Sequence, residues 1–266
     1  MLRFRQKWIA QKNQESNRSL IICFEEPEIY LHPSAANQMR NILYKLSDSN
    51  SQIIASTHSP FMIDLSRKPR QILNRLVTKD NEVVAVPFTV TDSFNSLHND
   101  DKTYVKMLLK IDSYISRAFF TKHVVIVEGD TEDILLKETL KRLPEDDYLK
   151  IYANFEIIKA RGKAAIISLV KYLVSMDIKP IVVHDRDSGN ENALKYNEPI
   201  KNAIGDNGRI VLMKENVEDE IGYEATYEKP FKAYQQTIVW HSWNDIPDNW
   251  RTKMKEIFGD FISSRF

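Results

Sequence analysis

The sequence predicts an α/β fold with a mainly parallel central sheet. Apolar runs of strand length recur along the 266 residues, several of them end on carboxylates, and segments with helical apolar spacing separate them. Buried strands that alternate with helices build parallel sheets, whose ligands sit beyond the carboxyl ends of the strands.

Each element can be justified in chain order. Met1 to Ala10 reads as an amphipathic basic helix. Leu20 to Phe24 is an apolar strand that ends in Glu25-Glu26-Pro27-Glu28, and after one helix Gln52 to Ser56 is a second strand, ending at Thr57-His58-Ser59-Pro60. Cys23, the single cysteine, excludes an intramolecular disulfide framework and reads as a packing residue in a core strand. Glu82 to Val86 is strand-like, and Thr91 to Asp101 is polar. Tyr104 to Leu109 and Tyr114 to Phe120 have helical spacing, with Met107 and the phenylalanines expected in the core.

The second half repeats the strand-then-acid pattern. His123 to Val127 runs into Glu128, turns through Gly129, and places Glu132 in the first turn of a helix. Ile181 to Val183 runs into His184-Asp185-Arg186-Asp187. Residues two apart on an extended strand share a side, so Asp185 and Asp187 face together. Ser188 to Ala193 reads as a polar turn or helix start. Ile210 to Met213 is a further strand, again followed by acids: Glu215, Glu218, Asp219 and Glu220. Trp240, Trp243, Trp250, Phe258 and Phe261 suggest a closing segment that packs on the core rather than a base-stacking platform.

Like charges this close raise one another's pKa unless a cation is shared. Oxygen donors without a Cys/His cluster favour Mg²⁺ or Mn²⁺ over zinc. Singly, each acid reads as a helix cap or a solvated carboxylate; together, on successive strand ends, they read as a metal site. The chain carries 37 basic and 37 acidic residues, so net charge does not announce a nucleic-acid partner. Lys159, Arg161, Lys163, Arg117 and Lys122 are candidates for a local basic groove, although any one of them alone reads as surface charge. No apolar run is long enough to span a bilayer and no signal segment opens the chain, so a cytoplasmic protein is expected.

Glu128-Gly129-Asp130-Thr131-Glu132 followed by Asp185-Arg186-Asp187 resembles the toprim domain, a metal-binding α/β fold. Lys159 to Ile166 looks like the glycine-lysine turn that opens an intervening helix in toprim sequences. Glu25-Glu26-Pro27-Glu28 and Thr57-His58 resemble the Walker B, D-loop and switch-histidine segments of ABC-type ATPases. The combination resembles the overcoming-lysogenization-defect (OLD) family of nucleases, with Glu25 where Walker B more usually has aspartate.

That resemblance implies an organisation: residues 1–95 as the carboxy-terminal portion of an ABC-type ATPase domain, 96–120 as a helical connector, 121–235 as a toprim nuclease domain and 236–266 as the closing segment. It implies Glu25, Glu26 and His58 at a nucleotide site, with Glu26 the hydrolytic carboxylate. It also implies Glu128, Glu132, Asp185 and Asp187 on metal, joined by a third acidic motif for which Glu215 and Asp219 are favoured over Glu220. Lys229, in Glu228-Lys229-Pro230, would stabilise charge on a scissile phosphate, with Lys232 the alternative.

No G-x-x-x-x-G-K-[ST] phosphate loop and no ABC signature segment occur in the sequence. The chain therefore reads as part of a longer ATPase-nuclease, and alone it is not expected to hydrolyse ATP. The expected function is divalent-metal-dependent DNA endonuclease or nickase activity with two Mg²⁺ or Mn²⁺ ions. ATP regulation, homo-oligomerisation through the ATPase portion, a defence partner and a phage-defence setting are implied by the family. The alternative is a non-catalytic docking or regulatory scaffold in a nucleic-acid-processing assembly.

Overall fold

The computed structural model describes residues 20–47, 51–64, 72–88, 97–111, 113–224 and 227–263. The expected Met1–Ala10 helix lies outside them. The chain divides into two units, Met1–Pro69 and Arg70–Phe266.

In the first unit, β1 (Leu20–Glu25) and β2 (Ser51–Ser56) pair in parallel, with α1 (Pro33–Ser47) between them in sequence. Glu25 is opposite Ser56 in this register, so both strands deliver their terminal loops to one end. Among the described residues β1 is far from a core strand: only Ile22 and Phe24 are half-buried, while Leu20, Ile21 and Cys23 are exposed. The expectation that Cys23 packs in a core is corrected by its position on the more open side of β1.

The second unit holds a four-stranded parallel sheet in the order β6-β5-β7-β8, formed by β5 (His123–Val127), β6 (Phe155–Lys159), β7 (Pro180–His184) and β8 (Arg209–Leu212). Val124 to Val127 and the whole of β7 are buried, as strands of a doubly covered parallel sheet must be. Strand order decides where a ligand belongs. After β5 the chain moves to one side to make β6, then crosses to the other to make β7 and β8, so the carboxyl ends of β5 and β7 flank the switch point.

An antiparallel hairpin of β3 (Leu73–Lys79) and β4 (Glu82–Phe88) belongs to this unit rather than the first, so the division falls before the expected boundary at residue 95. Arg75 donates to the Thr121 carbonyl at 3.2 Å, tying β3 to the approach to β5. Helix α2 (Asn99–Ile111) buries Asp101, Val105 and Leu108 on one face. Met107 lies off that face and is 39% exposed, against the expectation of a core position. Asp101 accepts from Ser168 and Lys171, both at 2.7 Å, pinning α2 to α5 (Lys163–Val174).

The closing segment packs as expected. Trp240, Trp243, Trp250 and Phe258 are buried in one cluster with Leu135, Leu136 and Val125. Trp250 donates its indole N–H to Thr139 at 2.7 Å. Full burial of a large apolar side chain is worth roughly 1.5–3 kcal/mol, and an indole with its one donor satisfied adds no orphaned polar group. These tryptophans are therefore core, not stacking surface.

Candidate metal centre

Three carboxylates converge at the switch point. Glu128 follows β5, and Asp185 and Asp187 follow β7; each can offer one oxygen such that all three lie within 4.8 Å of one another. Parallel pairing of β5 with β7 puts the two loops side by side, Val127 being level with Val183. Asp187 adopts a left-handed backbone with φ 53°, which turns the chain back after the strand. The Glu215 carbonyl fixes that turn by accepting from the backbone N–H of Arg186 at 2.8 Å and of Asp187 at 3.0 Å.

Glu132 and Glu218 border the group. Glu132 is 5% exposed, and its carboxylate accepts from the Gly129 N–H at 2.9 Å, the closing bond of an N-terminal cap on α3 (Asp130–Leu140). Glu218 is 2% exposed on α8 (Val217–Ile221) and forms an ion pair with Lys229 at 3.2 Å. Lys229 opens α9 (Lys229–Thr237), which packs against α3.

The electrostatics are those of crowded acids out of water. Burial, then the neighbouring Glu132 and Glu128, push the Asp185 carboxyl up to about 8. Burial, then Glu132, push Glu128 up to about 7. Glu132 is also raised, chiefly by burial, against the opposing pull of its backbone hydrogen bonds. Burial pulls the Lys229 ammonium down, but Glu218, Asp185 and Glu132 together carry it above its ordinary value. Glu128 Oε2, Asp185 Oδ1 and Glu218 Oε2 are buried without a hydrogen-bond donor. Buried polar atoms are normally satisfied, and an all-oxygen donor set with free lone pairs fits a hard divalent cation. His184 is buried beside them, its Nδ1 2.8 Å from the Asp185 carbonyl, which can only accept and so fixes the ring proton on Nδ1.

Both favoured third-motif acids, Glu215 and Asp219, lie outside the three-carboxylate group. Glu215 is not one of the three converging carboxylates: its carboxylate accepts from the Ser188 N–H at 3.0 Å and hydroxyl at 2.6 Å, a loop brace that holds it below the usual carboxylate range. Asp219 is exposed, its N–H held by the Asn216 cap at 2.8 Å. Glu220 is buried but accepts from the Lys214 N–H at 2.7 Å. Glu218 is the buried acid whose charge helps to raise Asp185, and sequence proximity to the strand missed it. Helix phase was the available signal: Val217 and Ile221, at spacing four, mark the buried face, and Glu218 lies on it three residues before Ile221. Tyr223 was also missed. Its hydroxyl is buried without a partner, and burial, then Glu218, Glu132 and Asp185, raise its pKa.

The basic candidates divide. Lys159 pairs with Asp130 at 2.9 Å and Arg117 with Glu156 at 3.4 Å, whereas Lys163 is buried against Asp187 at 2.6 Å. In the first unit, the structure brings Glu26 and His58 together. The Glu26 carboxylate accepts from the His58 backbone N–H at 3.1 Å and lies 3.5 Å from its Nε2. Glu25 is exposed at the end of β1, and the Thr57 hydroxyl donates to Glu28.

Comparison with known proteins matches both parts of the chain to families. Residues 1–63 match the AAA ATPase domain, and residues 119–187 match the toprim domain of overcoming lysogenization defect-like proteins. Residues 119–187 are an OLD-like toprim domain. The Old nuclease of Escherichia phage P2 is 29% identical over 180 residues, 67% of this chain and 30% of that protein. The OLD nuclease of Thermus scotoductus is 30% identical over 167 residues, 62% of this chain and 30% of that protein. Endonuclease GajA of Bacillus cereus is 27% identical over 141 residues, 53% of this chain and 22% of that protein. The matched stretches thus span less than a third of each of these relatives. Among the described residues, no helix of the toprim domain or of the ATPase region is long and apolar enough to cross a membrane.

Proposed function

We propose that the toprim domain is a divalent-metal-dependent nuclease that hydrolyses phosphodiester bonds in DNA. The observation that carries this reading is the convergence of Glu128, Asp185 and Asp187 at the switch point of a parallel sheet, with buried oxygens that lack donors. Glu128, Asp185 and Asp187 would hold one Mg²⁺ or Mn²⁺ ion, and Glu132 with Glu218 would serve a second. Bound there, such ions activate water and neutralise charge on the phosphate.

The chain's own residues supply the rest. Lys229 reaches this pole from a different helix and is paired with Glu218. An ammonium held beside the acids can turn to a phosphate oxygen as charge develops, which favours the transition state over the bound substrate. Glu215 and Ser188 brace the loop that presents Asp185 and Asp187. The named relatives are nucleases or an endonuclease, which supports DNA as the substrate. ATP would act through the ATPase region, with Glu25 toward Mg²⁺, Glu26 toward the attacking water and His58 toward the terminal phosphate, in an oligomer suited to phage defence.

Plasmid cleavage with Mg²⁺ or Mn²⁺ tests the reading. The expected result is metal-dependent nicking or linearisation that is lost in Asp185→Ala with the fold retained. Absence of cleavage by the full-length protein under both metals would refute it.

A further inference from the structure

Among the described residues of the second unit, Lys163 is the one buried lysine, and it stands against a proposed metal ligand. Its side chain is 3% exposed, and its Nζ lies 2.6 Å from Asp187 Oδ2 and 3.1 Å from Asn197 Oδ1. Asn197 in turn donates to the Arg186 carbonyl at 2.8 Å, so both partners of the ammonium belong to the Asp185–Asp187 loop or brace it. The backbone puts it there. Gly162, at φ 112°, makes a turn that a side chain would strain, and its N–H donates to the Glu128 carbonyl at 2.9 Å. Lys163 follows as the first residue of α5, at the edge of the acids.

We infer that Lys163 is a resident counter-ion: its ammonium neutralises the carboxylates in the metal-free protein and competes with the incoming divalent cation, holding metal affinity down. The inference rests on the metal reading above. Two effects of opposite sign decide it. Positioning of a ligand by an outer-shell partner strengthens metal binding by roughly 10–100-fold. Repulsion between an ammonium and a divalent ion about 5 Å away, even at an effective dielectric of 20, corresponds to roughly 10⁴-fold or more before screening. Repulsion wins. Nor can Lys163 serve as a phosphate-binding lysine, since its buried ammonium is committed to Asp187 and Asn197. That role falls to the half-exposed Lys229.

The test is Mn²⁺ binding by calorimetry, with thermal unfolding measured with and without Mn²⁺, on the whole protein and its variants. Lys163→Met should bind Mn²⁺ at least 10-fold more tightly. Metal-free, it should melt lower than wild type, and Mn²⁺ should raise its melting temperature by more. Lys163→Gln keeps hydrogen bonding without charge and should shift affinity in the same direction, which guards against a folding failure of the methionine variant. Lys163→Arg, which restores charge, should return affinity toward wild type, whereas Lys159→Met, paired with Asp130 and Asp133, should leave it unchanged. Unchanged or weaker Mn²⁺ binding in both neutral variants would overturn the counter-ion role while the metal reading stands. Absence of saturable Mn²⁺ binding in wild type and every variant would overturn both.

Discussion

Two pairs of parallel strands in this chain end in acids, and they differ in what meets those acids. At the end of β1 and β2, Glu26 accepts from the His58 N–H, Glu28 accepts from Thr57, and the His58 ring is 95% exposed. At the end of β5 and β7, Asp185 is buried, Glu128 nearly so in its inner oxygen, and neither Glu128 Oε2 nor Asp185 Oδ1 has a donor. The first arrangement is open to solvent at His58 and leaves one buried oxygen, Glu28 Oε2, without a donor. The second is unsatisfied and crowded, and its carboxyls are pushed up to about 7 and about 8. The same sequence motif, an apolar run ending in acid, thus leads to a hydrogen-bonded, solvent-facing carboxylate at Glu26 and to crowded, buried carboxyls at Glu128 and Asp185.

The largest effect should follow from Asp185→Ala, which removes the most strongly perturbed carboxyl of the proposed metal site. Metal-dependent cleavage should fall by at least about 10³-fold while thermal unfolding stays cooperative, consistent with loss of an interaction worth roughly 4 kcal/mol in the transition state. Cleavage near wild type would place the chemistry elsewhere.

Glu218 sharpens the contrast between third-motif acids. Glu218→Gln should lower cleavage about 10–100-fold, whereas Asp219→Asn, on an exposed side chain, should stay within about twofold of wild type. Equal losses would mean that burial does not identify the ligand. Lys229→Ala should reduce single-turnover cleavage far more than equilibrium DNA binding, while Lys232→Ala should alter neither strongly. Weaker, salt-sensitive binding with intact chemistry would instead mark Lys229 as a surface charge.

How much of this was legible in the sequence follows from particular residues. Glu128, Asp185 and Asp187 could be placed because strand ends are sharp: an apolar run fixes the last buried residue, and the next residue must emerge at the rim. Glu218 and Lys163 could not be placed that way. Glu218 depends on the rotation of a five-residue helix set by the Asn216 cap, and Lys163 on a turn through Gly162 that buries an ordinarily solvated side chain. Cys23 and Met107 failed for the related reason that apolar character does not say which face is covered. The parallel sheet and the packing of the tryptophans were readable, because period and length specify buried strands and a large aromatic seldom stays in water.

A smaller effect concerns pH and the unsatisfied acids. Asp185 and Glu128 have folded-state pKa values raised above their unfolded ones, so the folded protein binds more protons. The stability they contribute is fully present below about pH 4, the unfolded range, and is lost as pH rises through about 7 and about 8. Metal-free melting temperature should therefore decline from pH 5 to pH 8.5, and Mn²⁺ should recover most of the loss at the upper end. A metal-free profile flat across that window, or rising, would show that these carboxyls are not desolvated. Asp185→Asn should flatten the profile.

The smallest signal belongs to the ATPase region. Residues 1–266 alone should show no ATP turnover above background, and Glu26→Gln in a longer chain that carries a phosphate loop should retain nucleotide binding but slow turnover. Robust hydrolysis by residues 1–266 would contradict the reading that Glu26 and His58 need a phosphate loop to turn over ATP.

The central claim, that the β5–β7 strand ends hold a divalent cation, is tested most directly by titrating Mn²⁺ into wild type and Asp185→Asn and reading free Mn²⁺ by electron paramagnetic resonance. The account predicts saturable binding in wild type at neutral pH and its loss in Asp185→Asn, with both proteins folded. Equal binding by the two, or none by wild type, would contradict it.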